Sequence, residues 1–193
     1  MTLRQRTAYI GLGSNLGDRR EHLECALGRL GDPELQLRRV SSLYETAPQG
    51  PVLDQPAFYN AVVEVQTALE PWALLHRCLD LELQLGRERL VSKGPRTIDM
   101  DLLLMEDLVI EEPTLVLPHP ELTRRGFALI PLLELAPMTV DPRDGTVLCR
   151  HAHPLLRCQP MVRLGSLPAY PARARLPAQR FSAPRVMLSF HAA

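Results

Sequence analysis

Four things are scarce in this chain: paired cysteines, long apolar runs, net charge and, in its last quarter, acids. The four cysteines, Cys25, Cys78, Cys149 and Cys158, include no Cys-x-x-Cys, which argues against a zinc ribbon or a thioredoxin-like redox pair. Cys25 and Cys78 fall within expected helices and read as small buried thiols. The stretch Cys149-x-His151-x-His153-x4-Cys158 has metal-ligand residue types, but its spacing matches none of the common structural zinc patterns. No apolar run approaches the roughly 20 residues a bilayer span needs, so no membrane partner is expected. Met1 to Ala8 carries Arg4 and Arg6 but leads straight into a strand-like segment, without the apolar core or cleavage site of a signal peptide. A cytoplasmic location is therefore expected. Formal net charge is zero, yet after Asp144 there are seven Arg and no acid. The last 49 residues thus carry +7 and the first 144 carry −7.

At 193 residues, with 46% hydrophobic and 23% charged content, the chain suits one globular domain with an appendage. The expected division is a domain over 1–144 and a basic, Pro- and Arg-rich extension over 145–193, poorly ordered or loosely docked. That extension lacks the aromatic interleaving of a nucleic-acid binder, and the acidic remainder repels polyanions, so nucleic acid is not an expected partner. A monomer is expected.

Thr7 to Gly13 reads as a first strand, followed by a turn. Asp18, with Glu21 three residues on, resembles a capping box for a helix over 19–30. Its apolar residues Leu23, Ala26, Leu27 and Leu30 recur at helical spacing, and Gly31 and Pro33 end it. Gly11-x-Gly13-x3-Gly17 is neither a Walker loop nor a dinucleotide fingerprint, so the glycines read as a tight turn or a place of close backbone approach. Leu37 to Ala47 reads as a second strand and Phe58 to Leu69 as a third, with a loop between them containing Gly50, Pro51, Asp54 and Pro56. In the third strand Ala61, Val63 and Val65 share one face and Asn60, Val62 and Glu64 the other. Pro71 opens a second helix whose stripe is Leu74, Cys78, Leu81 and Leu85, and Gly86 closes it. Glu82 lies near its end, either a solvated surface acid or an acceptor for a ligand.

Lys93-Gly94-Pro95-Arg96 is a basic turn that runs into a fourth strand. Ile98, Met100 and Leu102 alternate with Asp99 and Asp101, so both carboxylates face one way, about 6–7 Å apart at Cα. Such a pair repels itself unless a hard divalent cation, or neighbouring guanidinium groups, relieve it. From this stretch alone a magnesium pair and a structural ion-pair cluster are both open. The order strand, helix, strand, strand, helix, strand predicts an α+β, ferredoxin-like βαββαβ core. Its four-stranded antiparallel sheet would set the first and fourth strands side by side and both helices on one face, leaving the other for ligand. An extra C-terminal hairpin and helical segment follows: a short strand at 108–110, a bend at Pro118-His119-Pro120, and helical pieces from Pro120 and after Phe127, the latter interrupted at Pro131. His119 reads as a helix cap or a phosphate ligand.

With these residues assembled, the chain resembles the 6-hydroxymethyl-7,8-dihydropterin pyrophosphokinases of folate synthesis. The resemblance rests on Tyr9 to Gly17, Tyr44 to Gly50, Phe58 to Ala61, Glu82 to Arg87, the Gly-Pro-Arg-x-x-Asp-x-Asp stretch from Gly94 to Asp101, and Pro118-His119 through Phe127. It implies transfer of pyrophosphate from ATP to the pterin hydroxymethyl group, giving AMP and the pterin diphosphate. It further implies Asp99 and Asp101 holding two Mg2+ ions, Arg87 and Arg96 acting with them in catalysis, and Glu82, Arg89, Arg96, His119 and Arg125 binding ATP. Thr46, Ala47, Gln49, Phe58, Asn60 and Phe127 would form the pterin pocket. Lys93 stands where the enterobacterial form has a tryptophan that closes over the pterin, and Thr114 where it has an Arg that contacts nucleotide. A different magnesium-dependent nucleotide transferase, releasing ADP or free pyrophosphate, is the competing enzyme reading. An RNA-binding module is disfavoured because Ala61-Val-Val-Glu-Val65 is not an RNP strand.

Overall fold

The structure, a computed structural model, describes residues 4–31, 34–50, 52–87 and 94–168. Strand β1 (Arg6–Ser14) is followed by helix α1 (Arg19–Leu30). Half of the expected capping box is present: Asp18 Oδ1 accepts the Glu21 N–H at 3.0 Å. Leu23, Ala26, Leu27 and Leu30 are all fully buried, as their spacing predicts.

The second expected strand is two: β2 (Leu35–Val40) and β3 (Ser42–Thr46). Both pair antiparallel with β4 (Phe58–Thr67), so they are one strand kinked at Ser41. The kink is stable because Ser41 replaces the ladder locally. Its N–H donates to the Val62 carbonyl at 2.9 Å and its Oγ accepts the Val62 N–H at 2.9 Å. Helix α2 (Pro71–Gln84) starts on Pro71 and stops before Gly86, whose φ of +80° suits a residue without Cβ. Strand β5 (Asp99–Met105) then pairs with β1.

Reading β2 and β3 as one strand, β5 flanks β1, β1 flanks β4 and β4 flanks the β2–β3 pair, the arrangement that the ferredoxin-like reading requires. Helices α1 and α2 cover one face, packing on Ile10, Leu12, Val63, Val65 and Met100. The other face is only partly open. Helix α3 (Gly126–Leu135) packs there on Val62, Leu103 and Leu104 through Ala128, Leu129 and Leu132. Two leucines in succession reach that face because the β1–β5 register slips between Tyr9 and Ile10, which leaves Leu103 as an extra residue. Pro131 lies inside α3 without interrupting it.

The short strand expected at 108–110 begins at Ile110: β6 (Ile110–Glu112) and β7 (Leu115–Leu117) form a hairpin. A cis Leu117–Pro118 bond leads into His119 and a 3-10 turn over Leu122–Arg124.

The poorly ordered extension expected from 145 onward is not what the described part shows. A 3-10 turn (Leu148–His151), helix α4 (Ala152–Cys158) and strand β8 (Met161–Ser166) follow Asp144, and β8 pairs antiparallel with β3 at the sheet edge. Composition averaged over the whole 49-residue stretch hid this strand, since most of its side chains are exposed and carry no apolar alternation. A boundary at 144 would therefore cut through a continuous sheet.

Candidate active site

The uncovered part of the second face, the α2–β5 edge and the β7–α3 connection enclose one cavity of about 760 Å3. Its walls include every described candidate from the sequence: Thr46, Ala47, Gln49, Phe58, Asn60, Glu82, Arg87, Arg96, Asp99, Asp101, His119, Arg125 and Phe127. Arg89 and Lys93 lie outside the described residues.

At the centre is an acid–base cluster. Asp99 Oδ1 takes Arg87 Nη1 at 2.7 Å, and Asp99 Oδ2 takes Arg96 Nη1. Arg87 also pairs with Glu82, whose other oxygen accepts the Met100 N–H at 2.6 Å. Glu82 is thus no solvated surface acid: it is 2% exposed and anchors the start of β5. Burial first, and the nearby Asp99 charge second, push its carboxyl up to about 7, although Arg87 and the Met100 N–H pull the other way. Asp101 is likewise raised, by burial and then by Asp99, against Arg125, Arg96 and Arg87. The ion-pair reading of this stretch is thus present in the fold, with Arg87 and Arg96 as the countercharge to Asp99.

His119 closes the bend before the 3-10 turn, whose cap position belongs to Glu121, and it also lines the cavity. Its Nδ1 accepts the Glu121 N–H at 3.1 Å and its carbonyl the Leu122 N–H at 3.0 Å. Its own N–H donates to the carbonyl of Leu103, the extra residue of β5, at 2.8 Å. Burial, and then Arg125, lower its ring to about 4, so at neutral pH it is uncharged. With Nδ1 accepting, the proton sits on Nε2 and is free to be donated.

An aromatic and amide wall adjoins this cluster, with Asn60, Phe58 and Asp99 all within 4.0 Å of the place a Cβ on Gly13 would take. Asn60 Nδ2 donates to Thr46 Oγ1 at 2.8 Å across β3 and β4. That bond holds the amide still and leaves its remaining polar capacity toward the cavity. Phe58 and Phe127 each lie beneath a guanidinium, with Arg96 Cζ 5.7 Å from the first ring centroid and Arg125 Cζ 5.7 Å from the second.

The sequence assigns no site role to two residues here, although Gly13 reads there as part of a tight turn or a place of close backbone approach. Gly13 belongs to the floor of the cavity: a Cβ on it would stand 3.2 Å from Asn60 Oδ1 and 3.9 Å from Asp99 Cβ. Asn15, 2% exposed, clamps two loops. Its Oδ1 accepts the Arg96 N–H at 2.8 Å, its own N–H donates to the Arg96 carbonyl at 3.1 Å, and Nδ2 reaches Gln55 Oε1 at 3.0 Å and the Pro56 carbonyl at 3.1 Å. The only signal was an amide just after a strand, which reads equally as a turn former. Elsewhere the four cysteines are free and, among the described residues, no cluster of three or more Cys, His, Asp or Glu could hold a metal. Among them also, no helix is long and apolar enough to cross a membrane.

Known proteins place the chain by family and fold. The profile of the 7,8-dihydro-6-hydroxymethylpterin-pyrophosphokinase (HPPK) family matches residues 9–137. The 2-amino-4-hydroxy-6-hydroxymethyldihydropteridine pyrophosphokinase of Pseudomonas aeruginosa is 41% identical over 161 residues, 83% of this chain and 96% of that protein. The folic acid synthesis protein fol1 of Schizosaccharomyces pombe is 42% identical over 72% of this chain but only 19% of its own length, so the chain spans about a fifth of that relative. A crystal structure of Plasmodium falciparum HPPK-DHPS superposes with a TM-score of 0.66 at 17% identity, covering 81% of this chain and 46% of that one, which is a likeness of fold. A profile match over two thirds of its residues, and 41% identity to a relative of its own size, mean that the chain belongs to the 7,8-dihydro-6-hydroxymethylpterin-pyrophosphokinase family.

Proposed function

We propose that this chain transfers the pyrophosphoryl group of ATP to the hydroxymethyl oxygen of 6-hydroxymethyl-7,8-dihydropterin, yielding AMP and the pterin diphosphate, within folate biosynthesis. The observation that carries the reading is a single cavity that sets the charged group Asp99, Asp101, Arg87 and Arg96 against an aromatic and amide wall of Phe58, Phe127 and the Thr46–Asn60 pair.

The residues divide the work by their chemistry. Arg87 and Arg96 already converge on one carboxylate and are planar donors suited to phosphate oxygens, as is Arg125 beside them. In transfer of this kind the protein mostly positions reactants and neutralises charge, so convergent cations matter more than a strong base. Neutral His119 adds one Nε2–H donor and no charge. Asn60, fixed by Thr46, reads the polar edge of the flat ring, and Phe58 and Phe127 offer it aromatic faces.

The donor set suits magnesium. Asp99 and Asp101 are hard oxygen donors two residues apart on one face, and Asp101 is held high in pKa by burial and by the Asp99 charge despite Arg125, Arg96 and Arg87, a penalty a divalent cation would relieve. When bound, Mg2+ supplies positive charge shared with triphosphate oxygens, and these two aspartates would hold it. The resemblance implies two ions.

Product analysis tests the reading. Incubation with Mg–ATP and the pterin should yield AMP and a pterin diphosphate in equal amounts by chromatography and 31P NMR, whereas ADP or free pyrophosphate would reject it.

A further inference from the structure

We propose that Gln159, between α4 and β8, is a positioning residue that sets the separation of two walls of the flat-ring end of the cavity; the inference rests on the pterin reading above. Its Oε1 accepts the Gly126 N–H at 2.7 Å and Gln49 Nε2 at 2.8 Å, and its Nε2 donates to the Arg124 carbonyl at 2.8 Å. One amide thereby ties the loop after β3, which carries Ala47 and Gln49, to the first residue of α3, immediately before Phe127. The amide is itself anchored, for the Gln159 N–H donates to the Leu155 carbonyl at the end of α4 at 2.7 Å.

The fit at Gly126 shows how close this joint is. A Cβ there would lie 3.1 Å from Gln159 Oε1 and 3.7 Å from Gln159 Cβ, so the bare backbone lets the amide reach the start of the helix. Gln159 is not among the residues that line the cavity, whereas Gln49 and Phe127 are. It acts through them and touches no ligand. The acid–base end, with Glu82, Arg87, Arg96 and Asp99, takes no bond from it. Loss of Gln159 should therefore weaken the pterin more than the nucleotide, which it reaches only through Arg125, the residue between its partners Arg124 and Gly126.

The test is calorimetry on the full chain, with the pterin titrated in the presence of an inert Mg–ATP analogue and the analogue titrated alone. Gln159→Met keeps the bulk and removes all three bonds. Pterin affinity should fall about fivefold, the usual worth of a hydrogen bond or two, while analogue affinity stays within about twofold. Gln159→Glu keeps the oxygen that accepts from Gly126 and Gln49 but turns a second oxygen on the Arg124 carbonyl, so it should recover part, and not all, of the pterin affinity lost in the Met variant. Should the Met variant not fold, Gln159→Asn, one methylene short of spanning both walls, carries the same expectation. Unchanged pterin affinity, or equal weakening of both ligands, overturns the proposal. Phe58→Ala, run alongside, separates the two failures: if it abolishes pterin binding while Gln159→Met does nothing, only the role of Gln159 falls. If neither variant affects pterin binding, the pterin reading fails and takes this inference with it.

Discussion

Asp101 and Glu82 are two acids made uncomfortable by their surroundings, and each makes a measurable claim. Asp101 is raised by burial and by Asp99, so Asp101→Asn should leave the ligand-free fold as stable at pH 8, or stabilise it by about 1 kcal/mol in thermal melts. On the function proposed above, the same variant should lose about 100-fold or more in turnover, because it removes one of the two carboxylates proposed to hold Mg2+. Glu82 titrates in the fold at about 7 against a usual 4.5. A raised carboxyl contributes stability that is full below pH 4.5 and is lost as pH climbs through 7. Urea melts of the ligand-free protein should therefore weaken over that window by an amount on the order of 3 kcal/mol, and Glu82→Gln should flatten the slope. An unchanged slope would place the burial of Glu82 in doubt.

Among elements, β3 has the most demands made on it, since it joins the sheet core to β8 and faces α3. Glu134, from α3, accepts from Ser42 N at 3.0 Å, Ser42 Oγ at 2.7 Å, Tyr44 Oη at 3.1 Å and, from β8, Arg163 Nη2 at 3.0 Å. Burial pushes its carboxyl up, but those donors outweigh it and hold the group below the ordinary range. Stability from Glu134 is thus present above the ordinary carboxylate pKa and lost as pH falls through its lowered value. Glu134→Gln should cost about 1–2 kcal/mol at pH 7 and make the acid limb of a pH–stability curve shallower. The central elements were legible beforehand because their periodicities are undiluted: α1 by Leu23, Ala26, Leu27 and Leu30, and β5 by Ile98, Met100 and Leu102 against two aspartates. What escaped was non-local. Nothing near Ser41 announces that its hydroxyl meets Val62, and nothing near Met161 announces that it finds Thr46. The candidate site divides in the same way, its charged and aromatic members standing in recognisable stretches while Asn15, Gly13 and Gln159 matter only through distant partners.

For the whole molecule, β8 extends the main sheet as far as Ser166, so a chain ending at Asp144 should behave worse than one ending at Pro168. It would bare the β3 edge, unpair Arg163 from Glu134 and remove Gln159. A loss of about 3 kcal/mol, or about 10 °C in Tm for a chain of this length, is expected, with aggregation through the open edge. Scanning calorimetry and light scattering on the two truncations decide it, and equal melting points would restore the view of a separable tail. The slip at Leu103 reaches further than its size suggests. Ahead of it β5 turns acids outward to the cavity, and beyond it the strand fills the layer beneath α3, while its own carbonyl seats His119. Removing one residue between Asp99 and Leu102 would swing one half of that strand to the wrong side, drowning two carboxylates in leucine or stranding leucines in water, whereas removing Leu103 would only erase the slip and the seat of His119. This segment should therefore forgive many exchanges of side chain and few changes of length.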